Sequence, residues 1–354
     1  MSEPCYILNF TDISAADHHR VGGKCASLGD MTQAGFNVPP GFAVTTDAYQ
    51  QMLAHNGLRE EIVALLDTLD VSDVTEQERV SQAIQVHFRS HSLPGAVEQA
   101  IRDSYAHMDN IPVAVRSSAT AEDLPDASFA GQQDTYLWVQ GADEVVNKVR
   151  DCWASLFTAR AMAYRDQNNL GQIEVLMSVA VQKMVNARCA GVAMTLNPLD
   201  GDRTRIVIDS SWGLGETVVS GLVTPDNYVV EKVLLEVLER NIADKHIELI
   251  GDADAGCAIE HPVDAARRNV SSLSDPEALM IARLAKQLEK QKGCPQDIEW
   301  AIDADLPDGE NLLALQSRPE TVWSQKKKEK PKNSYATGML GIVSALNNPL
   351  ANKT

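Results

Sequence analysis

Lysine and arginine set beside glycines and hydroxyls, and carboxylates set beside an amide, are the groupings in this sequence suited to phosphate chemistry. Val21-Gly22-Gly23-Lys24-Cys25-Ala26-Ser27-Leu28-Gly29 places two glycines before a lysine and then a helix-forming run. Such a segment brings backbone close to an anion while Lys24 supplies a point charge. It lacks the full P-loop spacing, so on its own a plain turn followed by a surface lysine is the reading it favours. In Val113-Ala114-Val115-Arg116-Ser117-Ser118-Ala119-Thr120 a short apolar strand delivers Arg116 into small, hydroxyl-bearing residues. Arginine's planar fork grips phosphate oxygens, and hydroxyls and amides complete the cradle. Gly131 follows within Ser128-Phe129-Ala130-Gly131-Gln132-Gln133-Asp134-Thr135. That segment either closes as a lid or forms the polar tip of a hairpin.

A second grouping lies near the end of the chain. Period two in Asp297-Ile298-Glu299-Trp300-Ala301-Ile302-Asp303 sets Asp297 and Glu299 on one face and Ile298, Trp300 and Ile302 on the other. The same rule sets Gln316 beside Arg318, and the intervening Pro307-Asp308-Gly309 signals a turn, so the two runs read as a hairpin. Two carboxylates, an amide and a guanidinium on one patch suit Mg²⁺ shared with substrate phosphates. A merely wet polar face gives the same pattern. Lys183 stands on the otherwise apolar face of Val179, Val181 and Val185, where it either snorkels to water or meets an anion. Gly213-Leu214-Gly215-Glu216 reads as a loop entering a helix or turn. The eight histidines show no metal-ligand spacing. His87 falls in a core stripe, and His18-His19 in a surface loop.

Helical period marks Leu58, Ile62, Leu65, Leu66 and Leu69, then Val80, Ala83, Ile84, His87 and Phe88, then Val145, Val146, Val149, Trp153, Leu156 and Phe157. A fourth helix spans 278–292, with Asp275-Pro276 at its start and Gly293 just beyond it. Strand-like runs fall at 112–116, 135–139, 178–185, 191–195, 205–209 and 228–233. This mixture predicts α/β or α+β architecture in two lobes, with the boundary near residues 185–200.

The chain has 354 residues and a net charge of −18, 44% of its residues hydrophobic and 23% charged, the make-up of a globular protein about two folding units long. Residues 324–354 carry net +5, leaving −23 on residues 1–323. This acidity argues against nucleic acid as the main ligand but allows a nucleotide, which needs only a few cations. No apolar run reaches membrane-spanning length, and the first residues lack signal-peptide order. Six unpaired-looking cysteines fit reduced thiols and a cytoplasmic location.

Taken in order, Gly-Gly-Lys-Cys-Ala-Ser-Leu-Gly, Pro39-Pro40-Gly41-Phe42, Val-Arg-Ser-Ser-Ala-Thr-Ala-Glu-Asp, Ala-Gly-Gln-Gln-Asp-Thr, Gln-Lys-Met-Val, Gly-Leu-Gly-Glu, Asp-Ile-Glu-Trp and Gln-Ser-Arg-Pro resemble the ATP-binding part of the phosphoenolpyruvate synthase, pyruvate phosphate dikinase and rifampicin phosphotransferase family. The resemblance runs from about residue 5 to 323. It implies an α+β ATP-grasp fold, with an N-terminal lobe over 1–190, a C-terminal lobe over 191–323 and a basic linker-like tail over 324–354. It also implies that Lys24, Arg116 and Arg318 are the catalytic phosphate ligands. Gly131, Gln132 and Thr135 would belong to a phosphate-covering loop, Lys183 and Met184 to the adenine edge, and Glu216 to the nucleotide site. Glu299 and Gln316 would hold Mg²⁺, with Asp297 nearby.

In this family ATP gives AMP, because a histidine on a swivelling domain takes the terminal pyrophosphoryl unit. No histidine of this sequence has the surroundings of that acceptor, so the resemblance implies a phosphohistidine-bearing subunit on a separate chain and a small-molecule acceptor bound elsewhere. A detached chain of this kind is similar to the ATP-binding subunit of phenylphosphate synthase, which converts phenol, ATP and water to phenyl phosphate, AMP and phosphate. A stand-alone kinase or water dikinase, or a non-catalytic nucleotide sensor, is the alternative reading.

Overall fold

A computed structural model of the chain describes residues 4–71, 73–120, 123–124, 127–128, 134–252 and 255–323. Gly131, Gln132 and the tail from residue 324 lie outside the described residues. Residues up to Pro319 pack as one unit. A second begins at Glu320, of which Glu320–Trp323 are described.

The strands in chain order are β1 (Ile7–Asn9), β2 (Gly41–Val44), β3 (Val113–Ala119), the two-residue β4 (Asp123–Leu124) and β5 (Ala127–Ser128), β6 (Thr135–Val139) and β7 (Met177–Lys183). After them come β8 (Ala187–Met194), β9 (Arg205–Trp212), β10 (Asp226–Glu231), β11 (Glu236–Asn241), β12 (Ile247–Asp252), β13 (Cys257–Pro262), β14 (Gln296–Asp303) and β15 (Leu312–Pro319). One sheet has the order β1-β2-β7-β3-β6 and the other β11-β10-β9-β8-β14-β15, with β4-β5 and β12-β13 as separate ribbons. Among the described residues, the pairs of these strands are all antiparallel. The change of sheet falls between Lys183 and Ala187.

The helices are α1 (His18–Gln33), α2 (Thr46–Ala54), α3 (Leu58–Leu66), α4 (Val74–Ser90), α5 (Gly95–Ala106), α6 (Ala142–Ser155), α7 (Ala159–Gln167), the single turn α8 (Glu216–Val219) and α9 (Asp275–Lys292). Helices α2 to α6 cover the first sheet, where Tyr49, Phe88, Trp153 and Phe157 interlock over Val179 and Val181. The second core joins α9 to β9, β10 and β14 around Trp300, Ile298 and Tyr228. No described helix is long and apolar enough to cross a membrane.

Helix α9 obeys the capping expectation. Ser274 and Glu277 close a capping box, Pro276 stands in the first turn, and Gly293 caps the far end at φ +71°.

Helix α1 bridges the two halves of the fold. Its apolar face (Val21, Cys25, Leu28 and Met31) enters the second core together with Ala43 and Ala180 of the first sheet. Ser27 Oγ meanwhile donates to the Ser317 carbonyl of β15 at 2.7 Å. One helix is therefore fastened to both sheets.

Two expectations need correction. His18 and His19 open α1 instead of a loop, and His18 Nε2 lies 3.1 Å from Asp30 one face down the helix. His87 is not in the core of α4. Only Val80, Ile84 and Phe88 of its stripe are fully buried, because α3 leaves room at His87 for a partly exposed pairing with Glu61 at 2.6 Å.

Candidate active site

Between the sheets of the first unit lies a cleft of about 420 Å³, within the range of small-molecule sites. Gly22 is why α1 delivers a cation to it. Its backbone sits at φ +66°, a kink inside α1, and a Cβ there would come 2.3 Å from the Ser118 carbonyl of β3, so only glycine lets the helix bend against the strand. The Ser118 hydroxyl donates to the Val21 carbonyl at 2.9 Å and accepts from the Cys25 N–H at 3.2 Å. With that junction fixed, Lys24 is almost fully buried on the cleft wall and donates to the Ser117 carbonyl at 2.7 Å.

Arg116 comes from the neighbouring position of β3. Its Nη2 reaches Glu299 Oε2 at 2.5 Å and Gln316 Oε1 at 2.9 Å, and its Nη1 reaches the Leu315 carbonyl at 3.3 Å. Glu299 and Gln316 face each other in the β14–β15 register, and one step along the register slips, pairing Trp300 with Ala314 and leaving Leu315 as a bulge. Bulges re-aim side chains at functional sites. Here the bulge turns Leu315 and its carbonyl to the cleft. Arg318 lines both this cleft and a smaller one of about 160 Å³ behind Lys24.

Electrostatics sharpen the picture. Burial pushes the Glu299 carboxyl upward, but the charges of Arg116, Arg318 and Lys24 and the Arg116 hydrogen bond outweigh it and hold the group below the ordinary glutamate value. Glu216, at the start of α8, shifts the other way. Burial raises it, the nearby Glu299 charge adds to the rise, and Arg116 only partly offsets it. Arg116 Nε is buried without a hydrogen-bond partner. One end of the cleft is thus cationic around two oxygen donors. The other is apolar, walled by Leu137, Met184, Val185 and Leu214. A ligand with a flat apolar head and a polyanionic tail complements both ends.

The model of the pyruvate phosphate dikinase AMP/ATP-binding domain matches residues 18–339 of this chain. The chain belongs to this family. It is 45% identical over 339 residues to the phosphoenolpyruvate synthase of Aeropyrum pernix, a match covering 87% of this chain and 41% of that one. Against the phosphoenolpyruvate synthase of Pseudomonas aeruginosa it is 43% identical over 338 residues, covering 90% and 42%. With that of Pyrococcus furiosus the identity is 38% over 364 residues, covering 91% and 44%. The chain spans about two fifths of the length of these relatives.

Within this AMP/ATP-binding domain, most of the residues singled out by the sequence meet. Lys24, Arg116, Thr135, Lys183, Met184, Glu216, Glu299 and Arg318 line one cleft, and Gln316 reaches it through Arg116. Lys183 is exposed at the end of β7, so the apolar face it interrupts ends there, and Val185 lies beyond the strand. Asp297 stands apart. It is exposed on β14, opposite Arg318, and is not among the residues lining the cleft. Sequence reasoning gave no site role to Leu137 or Leu214. Leu137 was within reach, since alternation in β6 puts it on the side of Thr135.

Proposed function

We propose that this chain is the ATP-handling module of a phosphoenolpyruvate-synthase-type dikinase, with ATP clamped between its two sheet lobes in the ATP-grasp manner. The observation that carries the reading is the convergence of Lys24, Arg116 and Arg318 on Glu299 and Gln316 at the cationic end of the cleft, opposite an apolar end. The base would sit against Met184, Leu137 and Leu214, with Lys183 at its edge. The phosphates would run toward Lys24, Arg116 and Arg318.

Glu299 and Gln316 would hold Mg²⁺. Their oxygens already lie within reach of a single Arg116 nitrogen, and the depressed Glu299 stays ionised, as a metal ligand must. Bound there, the ion would supply positive charge to neutralise what develops on the phosphates. The work of this chain is then positioning and electrostatic stabilisation. Lys24, fixed by Ser117, and the two arginines hold the β-phosphorus in line for a histidine nitrogen supplied by a domain or subunit outside residues 1–323, with AMP as the leaving group.

The names of the relatives favour phosphoenolpyruvate as the eventual product. The narrower reading, phenylphosphate synthase, draws no support from them. Two measurements test the proposal. Calorimetry with the purified chain should show Mg²⁺-dependent ATP binding. Supplied with a histidine-bearing partner and ATP labelled at the β-position, the chain should pass label to the partner and release AMP. Stable label on the chain itself would overturn it. With the partner present, a choice of pyruvate or phenol as acceptor separates the two products.

A further inference from the structure

Apart from the residues lining the cleft, α3 and α4 bring together a second set of donors. Glu61 of α3 and His87 and His91, four apart at the end of α4, offer one ligand atom each, all within 4.8 Å of one another. Glu61 Oε2 lies 2.6 Å from His87 Nδ1 and 3.6 Å from His91 Nε2. We propose that these three side chains form a site for a first-row divalent cation, Zn²⁺ being the best match, which ties α3 to α4.

Three features separate this group from an ordinary surface pairing. First, the ring of His91 is oriented from behind. Its Nδ1 lies 2.8 Å from the His87 carbonyl, and since a carbonyl only accepts, Nδ1 carries the proton. In the neutral ring Nε2 then presents its lone pair toward Glu61. A backbone carbonyl behind a histidine ligand is the usual way such a tautomer is fixed. Second, Glu61 Oε2 is buried yet makes no hydrogen bond, despite the short approach of His87 Nδ1. A buried carboxylate oxygen that makes no hydrogen bond is costly unless a cation meets it. Third, the frame is rigid. Arg150 of α6 donates to the His91 carbonyl at 3.2 Å, and Phe88, between the two histidines, is fully buried.

Two imidazoles and one carboxylate suit Zn²⁺, whereas Mg²⁺ and Ca²⁺ prefer all-oxygen sites. Four-coordinate ligands stand ~3.3 Å apart at ordinary zinc distances. Glu61 therefore needs only a small side-chain turn away from His87, and water completes the shell.

The test uses the full chain stripped of metal. Titration with ZnCl₂ should give one saturable equivalent and raise the melting temperature, as a ligand of the native state must. The same concentration of MgCl₂ without ATP should do neither. His91→Gln and Glu61→Gln should each weaken the Zn²⁺ affinity at least tenfold while the metal-free melts stay near wild type. Co²⁺ in the unaltered chain should give visible ligand-field bands without thiolate absorption, a readout that stands even if a variant fails to fold. Unchanged affinity in both folded variants, no saturable equivalent, or a thiolate band from cysteine ligation would each overturn the site.

Discussion

Arg116 serves three acceptors with one guanidinium, and that sharing decides what its replacement should do. Arg116→Ala leaves Glu299 and Gln316 without their common donor and, on the proposed function, removes the planar clamp from the phosphates. Partner phosphorylation in single turnover should fall by about 10²–10³. Arg116→Lys should recover little, since a point charge cannot reach Glu299, Gln316 and the Leu315 carbonyl together. The two perturbed carboxylates predict opposite pH effects. A carboxyl depressed in the folded state adds stability that is present above its unfolded value, about 4.3, and is lost as pH falls through the lower folded value. Glu299 is of that kind, so Glu299→Gln should flatten the acid limb of stability against pH below about 4.3. Glu216 is raised by burial, so its ionised form costs stability at neutral pH. Glu216→Gln should therefore raise the melting temperature at pH 7, and the gain should disappear on acidification below the ordinary glutamate value. Melts across pH would check both signs. These individual side chains were legible as candidates, but an Arg in a serine-rich run or a Glu–Gln pair on facing strands fits a wet polar face as well, and it was the ordered set of segments that joined them into one site. His87 and His91 were not legible in this way. A four-residue spacing shows as a ligand pair only once a third donor is known to stand beside it.

At the scale of elements, the junction of α1 with β3 and the bulge in β15 do the positioning. Gly22→Ala forces a side chain into the left-handed region and against the Ser118 carbonyl. Strain of this kind costs about 1–2 kcal/mol before any steric clash. The variant should melt lower and bind ATP more weakly, because Lys24 rides two residues behind. Gly35→Ala is the control. Its φ is +80° but nothing lies within 4 Å of the added carbon, so it should lose only the backbone term and leave ATP affinity unchanged. Elements with local signals were readable. The caps and stripe of α9 and the turn between β14 and β15 are written in neighbouring residues. The bulge at Leu315 and the ribbon β12–β13 were not. A register slip depends on the partner strand, and β13 has no fully buried side chain to impose a period. Helix α1 also lacked a clean stripe, because it buries residues against two sheets at once.

For the whole molecule, every residue placed at the cleft precedes Pro319. Removing residues 324–354 should therefore leave Mg²⁺·ATP affinity within about twofold of the full chain by calorimetry, whatever it does to partner transfer. ATP at a hundred times its dissociation constant should stabilise the unit by about 2.7 kcal/mol, and the truncated chain should show the same melting shift. Equal shifts would assign nucleotide binding to residues 1–323 alone.

The fastening of Ser27 to Ser317 spans 290 positions of sequence. On a ribosome adding about 5–20 residues per second, α1 leaves the exit tunnel roughly a quarter-minute to a minute before β15 exists to receive it. Until β14 and β15 are made, Val21, Cys25, Leu28 and Met31 meet a second core that lacks Ile298, Trp300, Ile302 and Ala314, and the cleft wall that carries Glu299 and Arg318 is unbuilt. The half-made chain is then a sticky amphipathic helix trailing an incomplete sheet, the kind of species that holding chaperones capture. Acquisition of nucleotide binding during synthesis should accordingly be abrupt, appearing only after β15 has emerged and not growing in step with chain length.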